Sequence, residues 1–439
     1  MKKRLLVFSV DAMISEDIDY LRNKPNFAKY LAGGSEVRKI RTIYPSVTYP
    51  AHVSMMTGCY PDRHGVASNY AFTTNSKEDT WQWFSSAIKT GDIFTASKAA
   101  GYSTAAIFWT VTGNHPAIDY NITEYWMPQK GDTLRSAFER VGANEQCLEI
   151  IEANAGLLAE SYKLTGRKNF MVHPQVDNFL IKNACDIILR YAPEVLFVHN
   201  GNMDNGRHQN GVMADCLQHE LDLVDGWIGD LGRALESAGV LEDTDIFLVS
   251  DHGQRDIKRT IKPNVYLMEH GFIELDERGK VRDWRAYCLS NAMSSEVFLK
   301  DPDDKKTYDE VYALLKHMCE EGIYGFSQVF TREEVEEREH LSGDFSFVLE
   351  SDGYTSFSDS CRRPVLAPLD LTDFRFGHAT HGYLPDYGPQ PTLVAKGPHI
   401  REGVVLERRP IVDEAPTYAK LLGVELPDAQ GSPIDEILK

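Results

Sequence analysis

The sequence predicts an α/β fold in which a central, mostly parallel sheet is flanked by helices, with a smaller inserted α+β subdomain. Short apolar runs without alternation recur along the chain, which is typical of strands buried on both faces of a parallel sheet. Between them lie segments whose apolar residues recur at helical spacing. The 439 residues suit one large domain of this kind with an inserted or capping piece.

Four apolar runs are the predicted buried strands, and a fifth resumes the sheet near the end of the chain. They cover residues 5–10, 103–109, 195–198 and 246–249, and then residues 392–395. Helical patterns separate these strands. They cover residues near 92–100, most of 131–190, 212–237, 307–320 and 411–422.

Residues 255–375 differ in composition from the rest of the chain. They are more charged, with a run from Arg332 to His340, and they mix short strands with one helix. We therefore predict a main α/β domain formed by residues 1–254 and 376–439, with residues 255–375 as an inserted or capping α+β subregion.

The overall composition excludes some classes of partner. With 42% hydrophobic and 25% charged residues, the chain has the composition of a soluble globular protein. The net charge of −19 argues against a surface that coats nucleic acid. The N-terminal apolar run is too short for a secretion signal, and no run approaches the length of a membrane span. We therefore expect neither nucleic acid nor membrane as a partner.

Cysteine usage predicts the compartment. The seven cysteines are scattered, odd in number and form no Cys-x-x-Cys pair. This pattern indicates reduced thiols rather than a disulfide framework or a thiolate metal site. We expect a cytoplasmic protein. The oligomeric state is left open.

Three acidic residues stand at or just past the ends of predicted buried strands: Asp11, Asp204 and Asp251. Ligands of open, mostly parallel sheets bind at the carboxyl ends of the strands. Three carboxylates gathered at one edge would repel one another unless a cation lay among them. A single acidic residue at a strand end is more often a turn or cap residue, so the joint pattern carries the argument.

Histidines accompany these carboxylates at short spacing. His208 follows Asp204 by four residues, His252 is adjacent to Asp251, and His381 lies in the segment Gly-His-Ala-Thr-His-Gly-Tyr. A lone histidine is usually structural. Six oxygen and imidazole ligands together, with a hydroxyl between them, suit two zinc-like ions.

The candidate hydroxyl is Thr48, in the segment from Tyr44 to Gly58. A turn-forming proline opens this segment, and Pro50 suits a first helical turn. A helix N-terminus directs backbone N–H groups and a positive dipole end at an approaching phosphate. On this segment alone, a helix N-cap is the favoured role for Thr48, because caps far outnumber nucleophiles.

The joint order Asp, Thr, Asp-x-x-x-His, Asp-His-Gly and His-Gly resembles the alkaline-phosphatase superfamily, and within it the type I phosphodiesterase / nucleotide pyrophosphatase family. The resemblance covers most of the chain and is patchy in 131–190 and 275–375. Further segments share it: residues 44–58, 60–66, Asn69, Trp81, Phe108-Trp109, residues 264–267 and residues 410–417.

This resemblance implies an alkaline-phosphatase-like catalytic domain with two divalent metal ions. Zinc is favoured by the histidines, and Mn²⁺ is the alternative. It implies one ion held by Asp204, His208 and His381. It implies a second ion held by Asp11, Asp251 and His252, with the Thr48 hydroxyl joining it.

The resemblance also implies roles for residues around the nucleophile. Asn69 would donate to a phosphate oxygen beside the Thr48 backbone N–H. Tyr49 matches a position that stacks on a nucleotide base, and Tyr125 would supply the other face. Both tyrosines have an equally good interpretation as core or rim aromatics. His378 is interpreted as an outer residue that supports the metal ligands.

The predicted function is metal-dependent hydrolysis of nucleotide phosphodiester or pyrophosphate bonds through a phosphothreonine intermediate. The partner would be a small phosphate ester, most simply a nucleotide. One alternative is a phosphonate (C–P) hydrolase such as phosphonoacetate hydrolase, or a phosphomonoesterase, since these share the metal ligands. Another is a non-catalytic binding protein on the same fold, which would require a lost ligand or nucleophile.

Overall fold

The computed structural model describes residues 2–74, 80–125, 129, 131–158, 172–371 and 377–439. In this part of the chain, one large sheet forms the centre of the molecule. Its strands are β1 (Arg4–Val10), β2 (Ser35–Arg41), β3 (Thr104–Ile107), β4 (Tyr120–Ile122), β5 (Val195–Asn200), β6 (Thr244–Val249), β7 (Leu393–Lys396) and β8 (Val405–Pro410).

The strand order is β8-β2-β7-β6-β1-β5-β3-β4. β1 lies in the middle and pairs in parallel with β5 and β6. β3 pairs in parallel with both β5 and β4, and β8 with β2. Only β7 runs antiparallel to its neighbours, β6 and β2, among the strands described. The prediction of a mostly parallel central sheet is confirmed.

Helices flank this sheet. They are α1 (Ser15–Leu21), α2 (Pro25–Tyr30), α3 (Thr48–Thr57), α4 (Pro61–His64), α5 (Ile93–Ala99), α6 (Leu134–Arg140), α7 (Glu145–Asn154), α8 (Gln175–Tyr191), α9 (Asn202–Asn210), α10 (Leu217–Ser237), α11 (Pro263–Glu269), α12 (Lys305–Glu321), α13 (Arg332–Glu339) and α14 (Glu414–Leu422). Residues 159–171, inside the predicted helical stretch 131–190, lie outside the described residues. No described helix is both long and apolar enough to cross a membrane.

Helix α3 is unusual because all ten of its residues are buried. It packs against α14, and it ends at Gly58, whose backbone is left-handed with φ 71°. A side chain at Gly58 would have no room, since its Cβ would lie 2.8 Å from Pro416 Cδ. The helix that begins at Thr48 is therefore fixed on every side.

The 255–375 region has small sheets and an apolar core of its own. A four-stranded antiparallel sheet contains the strands Ala286–Ser290, Ser294–Leu299, Phe347–Ser351 and Phe326–Thr331. Shorter strands of this region are Arg255–Asp256, Arg259–Ile261, Ile273–Leu275, Val281–Trp284, Thr355–Phe357 and Leu366–Pro368. The strand Ala379–Thr380, just past the region, pairs with Arg255–Asp256. One buried apolar cluster draws only on residues between Ile261 and Phe357, and the large central cluster draws on residues before 250 and after 392. The proposed boundaries at 255 and 375 stay a prediction, and residues 372–376 lie outside the described part.

Candidate metal centre and nucleophile

The predicted site residues gather at the carboxyl ends of the central strands. Asp11 directly follows β1, and Asp251 lies two residues past the end of the neighbouring β6. On the other side of β1, the chain leaves β5 and enters α9, which carries Asp204 and His208. His381 comes from a segment far away in sequence, just after the short strand Ala379–Thr380. Parallel neighbours place these ends at one edge of the sheet.

Asp11, Asp251 and His252 form one compact, buried group. One ligand atom from each lies within 4.8 Å of the others. His252 Nε2 is 3.3 Å from Asp251 Oδ2 and 3.5 Å from Asp11 Oδ1. These two carboxylate oxygens are buried and have no hydrogen-bond partner among the described residues. Orphaned buried carboxylate oxygens beside an imidazole fit a cation.

Asp204, His208 and His381 form the second group. Asp204 Oδ2 lies 3.1 Å from His208 Nε2, one helical turn along α9, and Asp204 Oδ1 lies 3.8 Å from His381 Nε2. Nδ1 of His208 donates to the Ala379 carbonyl at 2.7 Å, and Nδ1 of His381 donates to the Ser46 carbonyl at 3.1 Å. Because a carbonyl can only accept, both rings keep a bare Nε2 for a metal ion.

The two groups are adjacent. The rings of His252 and His381 stack with centroids 4.0 Å apart, and ligand atoms of His252, His381 and Asp204 also fall within 4.8 Å of one another. The structure therefore brings all six predicted ligands into two neighbouring groups, which meet where the rings of His252 and His381 stack.

Thr48 is the first residue of α3, and Val47 takes the N-cap position with an extended backbone. The cap role favoured by the local sequence is therefore wrong, because the hydroxyl makes no cap hydrogen bond. Thr48 Oγ1 lies instead 3.2 Å from His252 Nε2. The hydroxyl is thus directed into the group formed by Asp11, Asp251 and His252.

Asn69 is fixed beside the nucleophile by the backbone. Its Oδ1 accepts a hydrogen bond from the Tyr49 N–H at 2.9 Å. This bond sets the orientation of the amide, so the NH₂ group is the part left to interact with a ligand. The predicted position of Asn69 next to Thr48 is therefore present in the structure.

The sequence pattern of the type I phosphodiesterase / nucleotide pyrophosphatase family matches residues 5–384. The chain belongs to this family. As its name states, the family comprises phosphodiesterases and nucleotide pyrophosphatases, which are hydrolases of phosphate ester and anhydride bonds.

Relatives of this family member include much longer proteins. Ectonucleotide pyrophosphatase/phosphodiesterase 1 of Saccharomyces cerevisiae is 24% identical over 64% of the chain and 36% of its own length. Family member 5 of Homo sapiens is 22% identical over 98% of the chain and 76% of its own length. The chain spans between 25% and 43% of the length of the yeast protein, a Caenorhabditis elegans relative and human family member 1.

Solved structures of the family share the fold. Murine ectonucleotide pyrophosphatase / phosphodiesterase 5 superposes with a TM-score of 0.67 at 18% identity, covering 100% of both chains. An inactive variant of the murine protein, in which a threonine is replaced by alanine, is known in complex with AMP, with the same TM-score of 0.67. The human counterpart gives a TM-score of 0.68.

Electrostatics of the site support a cationic occupant in this family member. Burial and the charge of Asp204 raise the pKa of Asp11 to about 7, and burial together with Asp11 raises the pKa of Asp251 well above its ordinary value. Burial and the nearby His381 lower the pKa of His252. Burial works against ionisation of Asp204, but His208 and His381 hold its pKa below the usual range. Carboxyls that resist ionisation in the bare chain become good ligands once a cation supplies the missing charge.

The sequence did not identify the residues that orient the ligands. His199, the second-last residue of β5, places Nε2 3.2 Å from Asp11 Oδ2 and Nδ1 3.2 Å from the Phe108 carbonyl. His52 on α3 bonds Ser9 Oγ at 2.9 Å and lies 3.5 Å from Asp251 Oδ2. A histidine inside an otherwise apolar strand was the available signal for His199. The supporting role expected of His378 stays a prediction: its side chain is exposed, and its backbone N–H donates to the His208 carbonyl at 2.7 Å.

The predicted base-stacking pair, Tyr49 and Tyr125, stays a prediction, and both rings are buried in the structure. Tyr49 is 1% exposed, with its ring 5.2 Å from Trp81, and Tyr125 is 3% exposed, with its ring edge against Trp83 at 4.7 Å. Neither ring offers an open face to a base. The reason is that Tyr49 is the second residue of a helix buried on all sides, which directs its ring into an aromatic cluster. The half-exposed ring of that cluster nearest Tyr49 is Trp81.

Proposed function

We propose that this chain hydrolyses phosphodiester or pyrophosphate bonds of nucleotides, with Thr48 as the nucleophile. The observation that carries the proposal is the Thr48 hydroxyl, 3.2 Å from His252 Nε2 and inside a group of two orphaned carboxylates. The AMP complex of the murine relative, obtained with a threonine-to-alanine variant described as inactive, supports the same substrate class.

We also propose two divalent metal ions, with Zn²⁺ favoured by the three histidines and Mn²⁺ as the alternative. Asp204, His208 and His381 would hold one ion. Asp11, Asp251 and His252 would hold the other, with Thr48 Oγ1 as a further ligand. When bound, such a pair supplies Lewis-acid charge that lowers the pKa of the threonine hydroxyl and offsets charge developing on the phosphoryl group.

The chain itself then performs a two-step transfer. Thr48 Oγ attacks phosphorus, the Oγ–P bond forms, and the bond from phosphorus to the leaving oxygen breaks. The hydroxyl proton is lost from Thr48, and the leaving group takes up a proton from solvent. Water then attacks phosphorus, the P–Oγ bond breaks, and Oγ takes up a proton from that water, which releases the nucleoside monophosphate and restores the Thr48 hydroxyl. Throughout, the buried helix α3 keeps Oγ in one place, which is the positioning part of catalysis.

Preference for diesters follows from the charges around the site. A phosphomonoester dianion carries one more negative charge than a diester, and such groups usually require an arginine or lysine. Asn69 is neutral and offers only its amide NH₂. The cation next to the ligands in sequence, Arg207, uses its guanidinium on Asp17 and on backbone carbonyls. A diester or pyrophosphate therefore suits the site better than a monoester.

The test is a comparison of kcat/KM on the zinc-loaded protein for p-nitrophenyl thymidine 5′-monophosphate and p-nitrophenyl phosphate. We expect the nucleotide diester to be preferred by roughly one to two powers of ten, a difference of about 1–3 kcal/mol. Faster turnover of the monoester, or of phosphonoacetate, would move the assignment to one of the alternative hydrolases. Binding of a nucleotide with no turnover of any substrate would indicate a non-catalytic binding protein.

A further inference from the structure

Arg207 is a buried cation placed between two proposed ligands of one metal ion. It lies on α9 between Asp204 and His208 and is only 1% exposed. Its Nη2 donates to both oxygens of Asp17, at 2.8 and 2.9 Å. Its Nη1 donates to the Ala12 carbonyl at 2.6 Å, and its Nε donates to the Val212 carbonyl at 3.2 Å, just beyond the end of α9.

Ala12 is the point at which this arrangement reaches the other ligand group. It directly follows Asp11, and its N–H donates to Asp251 Oδ1 at 3.1 Å. Its carbonyl is the one held by Arg207. Ala12 adopts φ 57°, the left-handed region that residues with a side chain seldom occupy, so its conformation must be maintained by its surroundings.

Asp17 completes the connection. It is buried, and its Oδ2 also accepts the Ile14 N–H at 2.8 Å. One carboxylate thus fixes both the guanidinium and the turn that follows Asp11. This geometry requires a planar guanidinium, in which Nη2 contacts Asp17 while Nη1 holds the Ala12 carbonyl, because lysine has a single amine and no rigid fork.

From these contacts we infer that Arg207 and Asp17 are a positioning pair that sets the separation of the two metal sites. Arg207 links the helix that carries Asp204 and His208 to Ala12, the residue that follows Asp11 and bonds Asp251. This inference rests on the proposed function, because it requires two bound metal ions. It goes beyond that function because neither residue binds metal or substrate. Binding of the two ions should then be coupled through this pair.

Two variants test the pair without relying on turnover. Arg207→Lys keeps the charge and removes the fork. The double variant Asp17→Leu with Arg207→Met removes both charges together, so no buried charge is left unpaired. The matched control is Asp225→Ala, which removes a buried carboxylate whose hydrogen bonds among the described residues go to Asn26 and, at 2.7 Å, to the Phe27 N–H at the start of α2.

Zinc affinity is measured by competition with a fluorescent chelator, and folding by circular dichroism and Tm. We expect wild type to bind two ions, and both pair variants to bind the weaker ion about 10–100-fold less tightly while remaining folded. The control should lose Tm and keep both affinities. The double variant separates positioning from stability, because an apolar pair can replace the fold contribution of a buried ion pair but cannot hold the Ala12 carbonyl.

The outcomes separate the two proposals. If wild type binds two ions and both pair variants bind them with wild-type affinity, the positioning pair is overturned and the proposed function stands. If wild type binds fewer than two ions, the proposed function fails and this inference fails with it. If the double variant does not fold, the role of the pair is structural, and the inference is overturned in its stated form.

Discussion

Loss of the Thr48 hydroxyl should stop the reaction and leave the fold intact. We expect Thr48→Ala to lower kcat by at least about a thousandfold with unchanged metal content, and Thr48→Ser to retain part of the activity. The measurement is kcat on a nucleotide diester together with elemental analysis. Thr57→Ala is the matched control, since that hydroxyl lies on the same helix and bonds the Val53 carbonyl at 2.7 Å. Near-normal rates for Thr48→Ala would make water, not threonine, the nucleophile.

Two substitutions of Asn69 distinguish its proposed contact with a phosphate oxygen from its hydrogen bond to the Tyr49 backbone. Asn69→Asp keeps an oxygen for the Tyr49 N–H and replaces the NH₂ donor with a charge, so we expect little change in Tm and a loss of about 2–4 kcal/mol in transition-state stabilisation. Asn69→Ala removes both interactions and should lower Tm and activity together. Equal kcat/KM for wild type and Asn69→Asp would exclude a role for the amide in binding phosphate.

For single residues, the sequence predicted the members of the candidate site better than it predicted the contacts that surround them. The six proposed ligands and Thr48, which the structure brings together, could be predicted because their residue types and order are typical of two-metal sites. The burial of Tyr49 could not, because it depends on Trp81, which reaches the ring only in the folded chain. His199 was equally hidden, since its contact with Asp11 requires β5 and β1 to pair.

Helix α3 should tolerate change at its C-terminal end far less than an ordinary helix does. Gly58 and Gly423 both end helices in the left-handed conformation, with φ 71° and 73°. A Cβ on Gly58 would lie 2.8 Å from Pro416 and 2.9 Å from Ala429, whereas a Cβ on Gly423 would meet nothing within 4 Å.

We therefore expect Gly423→Ala to lower the free energy of unfolding by about 1–2 kcal/mol, which is the cost of the backbone conformation alone. Gly58→Ala should cost about 1–3 kcal/mol more, because it also overpacks the contact between α3 and α14. Denaturant titration of both variants gives the comparison. Equal losses would mean that α14 moves aside without cost.

Strands were predictable where they are buried on both faces and missed where they are not. The runs that became β1, β5 and β6 are continuously apolar, and their burial confirms the interpretation. β8 is mostly exposed at the edge of the sheet and carries Glu407, Arg408 and Arg409, so it has no apolar run to recognise.

Removal of the metal ions should change how the stability of the whole molecule depends on pH. The pKa of Asp11 is raised from 3.8 to about 7 by burial and by Asp204, so the folded metal-free chain binds that proton more tightly than the unfolded chain does. Protonation of Asp11 therefore stabilises the metal-free fold below its unfolded pKa, and this stabilisation is lost as the pH rises through about 7.

We expect the Tm of the chelator-treated protein to fall between pH 5 and pH 8, and Asp11→Asn to raise the Tm of the metal-free protein at pH 8 by about 2–5 °C. The metal-loaded wild type should not share this dependence. A metal-free Asp11→Asn variant with the Tm of wild type at both pH values would contradict the assignment to Asp11.

The mostly parallel central sheet could be predicted from the sequence, but the order of its strands could not. Alternating apolar runs and helical patterns were enough for a mostly parallel sheet. The position of β7 between β6 and β2 could not be predicted, because the order in which strands pair depends on contacts between residues far apart in the chain.

That position has a consequence for how the protein is made. β6 ends at Val249, and its partner β7 begins only at Leu393, after the whole 255–375 region has been synthesised. On a ribosome, the growing chain therefore exposes an unpaired strand edge at the centre of its sheet for on the order of ten seconds. Such an edge recruits other strands, so nascent chains are vulnerable to aggregation during this interval.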